Sequence, residues 1–364
     1  MPPGRPGLPP IRPASSPLAT LARSGSSTGR GRSRSPIGDG SERRFQCCRR
    51  GSGKWTRPRA GSSLLRQDAL DGRMRMAGLD TILETTAAER PATGFVFTEG
   101  PLWHPDGYYY FADVRSSVFY RLRLGQAPET VRTGTGEGNG TTFDLQGRLV
   151  VCEGGNRRVT RWSNDRQSEV VMDRYEGKRI NRPNDVVCKS DGSIWFTDPG
   201  LRVPLADKEL PHSGVYAVEP DGASRLVAEF EYPNGLAFSP DERVLYVANT
   251  RHAQYIHAIE LDGAGNMVRR RIFADMSSEE TDGVPDGMKV DIEGRVYCTG
   301  PGGTWVFAPD GSRLGIIRTP EVPANLAFGG PDLKTIFFTA RTSVYTLRSK
   351  VPGQPHPWYR LRAK

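Results

Sequence analysis

The chain has 364 residues, a formal net charge of +9 at pH 7 and a pI near 9.4. The excess is local: the first 75 residues carry 16 Lys and Arg against 4 Asp and Glu, leaving 34 of the 50 basic and 37 of the 41 acidic residues, about −3, for residues 76–364. A folded part with that balance offers no basic face to a phosphate backbone, so nucleic acid is excluded as its partner.

Residues 1–75 are rich in Pro, Gly, Ser and Arg and poor in core-building side chains, which predicts a disordered tail. Its acid-poor, Arg-rich composition suits a transit peptide, but Pro2-Pro3-Gly4-Arg5-Pro6-Gly7 suits an amphipathic helix badly. The preferred reading is upstream sequence without a folded role, with Met74 or Met76 as the start of the protein. Gly51-Ser52-Gly53-Lys54-Trp55 lacks the full spacing of a phosphate loop. No apolar run reaches 18 residues and no export signal opens the chain, so the expectation is a soluble, cytoplasmic protein with no membrane partner.

From residue 94 onward, short β-rich stretches are punctuated by Gly, Pro, Asn and Asp every eight to twelve residues. They form a recurring unit that starts with a polar residue, continues as an apolar strand and turns at a Gly or Asp. Six copies begin at Glu99-Gly100, Asn139-Gly140, Asn184-Asp185, Asn234-Gly235, Asp286-Gly287 and Asn325-Leu326, spaced by 40, 45, 50, 52 and 39 residues. Their turns are at Pro105-Asp106-Gly107, Gln146-Gly147, Asp191-Gly192, Pro240-Asp241, Glu293-Gly294 and Pro331-Asp332. That length matches a four-stranded blade, and closing six blades into a ring leaves only short protected edges. The prediction is an all-β, six-bladed β-propeller over residues 76–350, followed by a C-terminal tail, 351–364. Ring closure pairs Phe95-Val96-Phe97 with strands around Ser343 to Leu347. Gly134 to Gly140 reads as an inter-blade loop, and Cys152, Cys188 and Cys298 as buried small hydrophobes without metal or disulfide spacing.

Residues at one place in each repeat share one place around the axis, and here all six are Glu, Asn or Asp. Any one of them suits a turn cap. As a set they describe oxygen donors converging on a hard cation, calcium before zinc, magnesium or manganese. Glu99 and Asp286 balance a divalent charge, and Asn184 and Asn234 are neutral ligands. The five histidines, His104, His212, His252, His257 and His356, are scattered and no nucleophile elbow is present, which argues against a serine hydrolase.

The segments Thr98-Glu99-Gly100-Pro101-Leu102-Trp103, Asn181-Arg182-Pro183-Asn184-Asp185-Val186, Pro233-Asn234-Gly235-Leu236 and Pro285-Asp286-Gly287-Met288 resemble the family of senescence marker protein, gluconolactonase and the luciferin-regenerating enzyme. Gly300 to Phe307 and Arg318 to Asn325 look most like its bacterial gluconolactonase-like branch. The resemblance implies a metal-dependent lactonase acting on a small-molecule sugar lactone. It implies that Glu99, Asn184, Asn234 and Asp286 hold the cation, and that Arg182, Asn184 and Asp198 lie on the substrate side. Asp185, Asn139 and Asn325 would support the ligands, and Asp286 would serve as general base or as nucleophile. Another lactone, ester or phosphotriester as substrate, and a non-catalytic propeller stiffened by calcium, are the alternatives. Substrate identity is expected in loops such as Leu201 to Pro211 and Arg251 to Gln254.

Overall fold

The computed structural model describes residues 78–163, 167–280 and 282–362. The expectations for residues 1–75, including the start at Met74 or Met76, lie outside them. Among the described residues no helix is long and apolar enough to cross a membrane.

The strands form six four-stranded antiparallel sheets: five are simple meanders of consecutive strands, and the sixth joins three C-terminal strands to one from the N-terminal side of the chain. Their innermost strands are Thr98–His104, Gly138–Phe143, Val186–Cys188, Pro233–Phe238, Met288–Val290 and Asn325–Gly329. Each expected repeat start therefore stands at, or within two residues of, the head of an innermost strand. All six expected turns are closed by a backbone hydrogen bond from residue i+3 to residue i, as in Gly107 N to His104 O (2.9 Å) and Gly192 N to Lys189 O (2.9 Å). The chain is a six-bladed β-propeller.

The core lies between the blades. Side chains alternate across each sheet, so both faces of a blade must be covered, and each blade is covered by its two neighbours. Six apolar clusters result, one at every blade junction. Trp195, Val215 and Leu245 pack between blades three and four, and Phe119, Phe143 and Trp162 between blades one and two. Buried Cys152, Cys188 and Cys298 are free thiols in this packing.

The ring closes a few residues earlier than the sequence suggests. Strand Glu89–Thr93 pairs with Ser343–Arg348, with Ala92 opposite Val344 and Thr93 opposite Ser343. Phe95–Phe97 is held otherwise: Phe95 N donates to Thr342 O (3.1 Å), and Val96 N and Phe97 N donate to the two oxygens of Asp113 (2.9 Å each). That carboxylate takes the amides that would have extended the ladder.

Residues beyond 350, set apart by their sequence as a tail, run across the end of the axis opposite the polar ring. Gln354 N donates to Val290 O (3.0 Å), His356 Nε2 pairs with Thr142 Oγ1 (3.0 Å), and Tyr359 Oη donates to Trp103 O. The short helix Pro357–Arg362 sets Trp358 against Phe143, with ring centroids 4.7 Å apart. The segment thereby ties blades one, two and five together.

At the hub the heads of successive inner strands touch through their backbones. Gly140 N donates to Asn184 O (2.8 Å), Gly235 N to Asp286 O (3.1 Å) and Gly287 N to Ala324 O (2.8 Å). A Cβ on Gly235 would stand 2.1 Å from Asp286 O, and one on Gly100, whose φ is +55°, would stand 2.0 Å from Asn139 O. Backbone cannot retreat as a side-chain tip can, so these positions take glycine. Gly235→Ala is expected to destabilise the fold by about 3 kcal/mol, read as a fall in Tm. An unchanged Tm would show that the hub is looser than this geometry requires.

Candidate active site at the propeller hub

The inner strands are irregular where the polar residues stand. Register shifts fall between Glu99 and Leu102, Gly138 and Thr141, and Pro233 and Leu236. Bulges of this kind re-aim a side chain, here Glu99, Asn139 and Asn234. In blades three and five the head is held instead by Asn184 N to Thr197 O (2.9 Å) and Asp286 N to Thr299 O (3.1 Å).

The amides divide into two kinds. Asn325 turns its oxygen to Leu326 N (2.9 Å) and its NH2 toward the carboxylate of Asp185 (3.4 Å), so it presents donors to the hub. Asn234 does the reverse. Its Nδ2 donates to Thr250 Oγ1 (3.0 Å), which donates to Pro285 O (2.7 Å), and its Oδ1 is buried without a partner. Asn139 Oδ1, expected behind the ligands, is likewise buried and unpartnered. A buried acceptor left unmatched costs about 1–3 kcal/mol, so two at one hub ask for a donor or a cation.

The carboxylates make the same demand. Burial, and then the charge of Asp185, raise Glu99 to about 7. Asp286 is held well above the usual carboxylate range by burial, then by Glu99 and Asp185, and Asp185 is itself raised by burial. The opposing charges are Lys289, whose Nζ donates to Met288 O (2.9 Å), and Arg202. Among the described residues no three His, Cys, Asp or Glu side chains converge closely enough to hold a metal by themselves. The expected set differs in needing amide oxygens, and the free Oδ1 of Asn234 is such a donor. Crowded carboxylates with unpartnered amide oxygens fit a hard divalent cation.

Arg182 stands at the mouth, beside Glu137, Asn139, Asn184, Arg202 and Tyr232. Its guanidinium pairs with Glu137, both side chains being partly exposed, at 29% and 41%. Such a pair contributes about 0–1 kcal/mol, so Arg182 can exchange Glu137 for a ligand oxygen at little cost. Asp198 is fully buried: Oδ1 accepts from Arg182 N (2.7 Å), and Oδ2 from Asn181 N (2.7 Å) and Nδ2 (3.0 Å). Both oxygens are engaged, so Asp198 braces the turn that carries Arg182 and does not open onto the pocket. His104 stacks on Tyr108 at 4.5 Å, and His212 Nε2 pairs with Tyr216 Oη (2.9 Å). Neither histidine lines the mouth.

The family model described as the SMP-30/gluconolactonase/LRE-like region matches residues 97–342. The chain belongs to this family. A gluconolactonase from Zymomonas mobilis is 33% identical over 302 residues, 76% of this chain and 85% of that one. A pentonolactonase from Haloferax volcanii is 30% identical over 254 residues, 66% of this chain and 80% of its own length. The solved structure of a gluconolactonase from Xanthomonas campestris is 36% identical, with a TM-score of 0.70 over 75% of this chain and 93% of that one. The matched region contains all six repeat heads.

Glu99 and Asp198, at about 7, and Asp286, held well above the usual carboxylate range, have folded-state values above their unfolded ones, near 4 to 4.5, so their favourable contribution is complete at low pH and is lost as pH rises through those folded-state values. The chelated protein is expected to melt at progressively lower temperature between pH 4 and 8. Calcium should raise Tm, and by more at pH 8 than at pH 5, because at low pH it competes with protons for the hub. Thermal melts across pH with calcium or chelator read this directly. An equal calcium shift at both pH values would contradict a carboxylate-bound cation.

Proposed function

We propose that the chain is a gluconolactonase-type lactonase that opens a sugar lactone with one divalent cation, calcium first, bound at the hub. The observation that carries this reading is the crowding of two buried carboxylates, Glu99 and Asp185, and the half-buried Asp286, beside the unpartnered oxygens of Asn234 and Asn139. Family membership, whose members commonly bind divalent cations, supports it. Glu99, Asn184, Asn234 and Asp286 would hold the ion. When bound, it supplies Lewis acidity toward a carbonyl oxygen and charge to stabilise the oxyanion that develops there.

The protein's own groups do the rest. Arg182, released from Glu137, donates to ring or hydroxyl oxygens and sets the lactone's orientation. Asp286 accepts a proton from water as the water oxygen bonds to the carbonyl carbon. The ring C–O bond then breaks, and the proton passes to the departing ring oxygen, leaving a hydroxy acid. Asn234, fixed by Thr250, stands beside the Asp286 carboxyl, where its amide favours the ionised form. Asp198 holds Arg182 through its backbone amide.

Asp286→Asn is expected to lower kcat on glucono-δ-lactone by about 10²–10⁴-fold with the melting transition intact, and chelator should abolish wild-type activity until calcium is restored. A pH-indicator assay measures both. Hydrolysis that survives chelation, or that Asp286→Asn leaves intact, would overturn the mechanism. Inactivity on every lactone, ester and phosphotriester despite bound calcium would leave a binding propeller.

A further inference from the structure

Beside the mouth lies a second cavity of about 510 Å³, continuous with it through Gly154, Arg182 and Arg202, which line both. Four guanidiniums, those of Arg157, Arg179, Arg182 and Arg202, stand on its wall against the carboxylates of Asp207 and Glu209. Only Arg182 is paired with a carboxylate among the described residues, and that pair is the weak one with Glu137.

The wall is built for a ligand. Arg157 is pinned by three backbone carbonyls, Nε to Ile180 O (2.9 Å) and Asn181 O (3.0 Å) and Nη1 to Asp207 O (2.7 Å), and its Nη2 is buried without an acceptor. Asn181, fully buried, gives its NH2 to Asp198 and His212 O, and its Oδ1 has no donor. Arg179 is anchored by Nη2 to Asn156 O (3.0 Å). Arg202 makes no hydrogen bond or ion pair with a described residue, yet lies near enough for its charge to act on both Arg182 and Asp286. A preorganised donor, a preorganised acceptor and surplus guanidinium charge match an anion that also carries a hydroxyl. The adjoining hub fixes where that anion must be attached.

We propose that this cavity receives an anionic substituent, a carboxylate, phosphate or sulfonate, at the end of the lactone remote from its carbonyl, so that the chain prefers acidic sugar lactones to neutral ones. The proposal rests on the lactonase reading of the hub. Arg202 and Arg179 bind the anion, and Arg157 Nη2 and Asn181 Oδ1 take its neighbouring oxygen and hydroxyl.

The test compares D-glucono-δ-lactone with its 6-phosphate, its 6-sulfonate analogue and D-glucarolactone, using the calcium-loaded full chain. An anionic lactone should show a kcat/KM about tenfold or more above the neutral one, carried by KM and falling as salt is added. Arg202→Ala and Arg179→Ala should each cut that preference about tenfold, Arg202→Lys should restore part of it, and thermal melts should confirm that the variants fold. The three anionic arms identify which group is read. Efficient hydrolysis of the neutral lactone with no gain from any anionic group would overturn the anion site and leave the lactonase intact. A preference that survives Arg179→Ala/Arg202→Ala would overturn it as well. Hydrolysis of no lactone would overturn the lactonase reading and the anion site with it.

Discussion

The heads of the six inner strands meet around the axis more closely than side chains allow. Gly235 and Gly100 have backbone atoms of the next blade where a Cβ would be, and Gly140, Gly235 and Gly287 donate their amides to carbonyls of that neighbour. The residue before each of these glycines is therefore fixed in position and direction by contacts between blades. Six blades joined only by apolar surfaces could slide by a few tenths of an ångström, since such contacts are non-directional. The hub hydrogen bonds remove that freedom, and they remove it where Glu99, Asn139, Asn184, Asn234 and Asp286 project.

That rigidity lets the hub tolerate an unfavourable charge distribution. Three carboxylates and two amide oxygens without donors are held together although each would be better solvated elsewhere, and the surrounding junction clusters carry the stability that this arrangement spends. Lys289 alone does not offset the set, because one ammonium stands against three carboxylates. Preorganised strain of this sort is characteristic of sites whose purpose is met only when a ligand binds.

How much of this was legible depends on whether a residue repeats. The propeller and the six polar heads could be read because the same pattern recurs at 39 to 52 residues, and a register that recurs becomes a ring in space. Glu137, Thr250, Arg157 and Arg202 could not. Each lies outside the repeating strand heads, in segments whose lengths differ between blades, so nothing in the sequence aligns one with another. The closing strand was misplaced by a few residues because Phe95–Phe97 is apolar enough to read as a strand, while the Asp113 carboxylate that captures its amides lies a hairpin away. The segment after residue 350 looked like a tail because its anchors, His356, Trp358 and Tyr359, are too few for any period to emerge.

That last segment bears on function through the direction of access. The inner strands run from polar heads to apolar ends, and Gln354, His356 and Tyr359 cover the apolar ends, with a cavity of about 130 Å³ beneath them. A ligand bound for the carboxylates must then enter from the other side, past Arg182, Arg202 and Tyr232. With one entrance, every group that discriminates between ligands has to stand on the loops around it. There the chain departs from strict repetition: the longest intervals between heads, 50 and 52 residues, belong to the blades that carry 201–211 and 251–254. Fold and hub geometry can therefore be held constant while the loops are free to change the ligand.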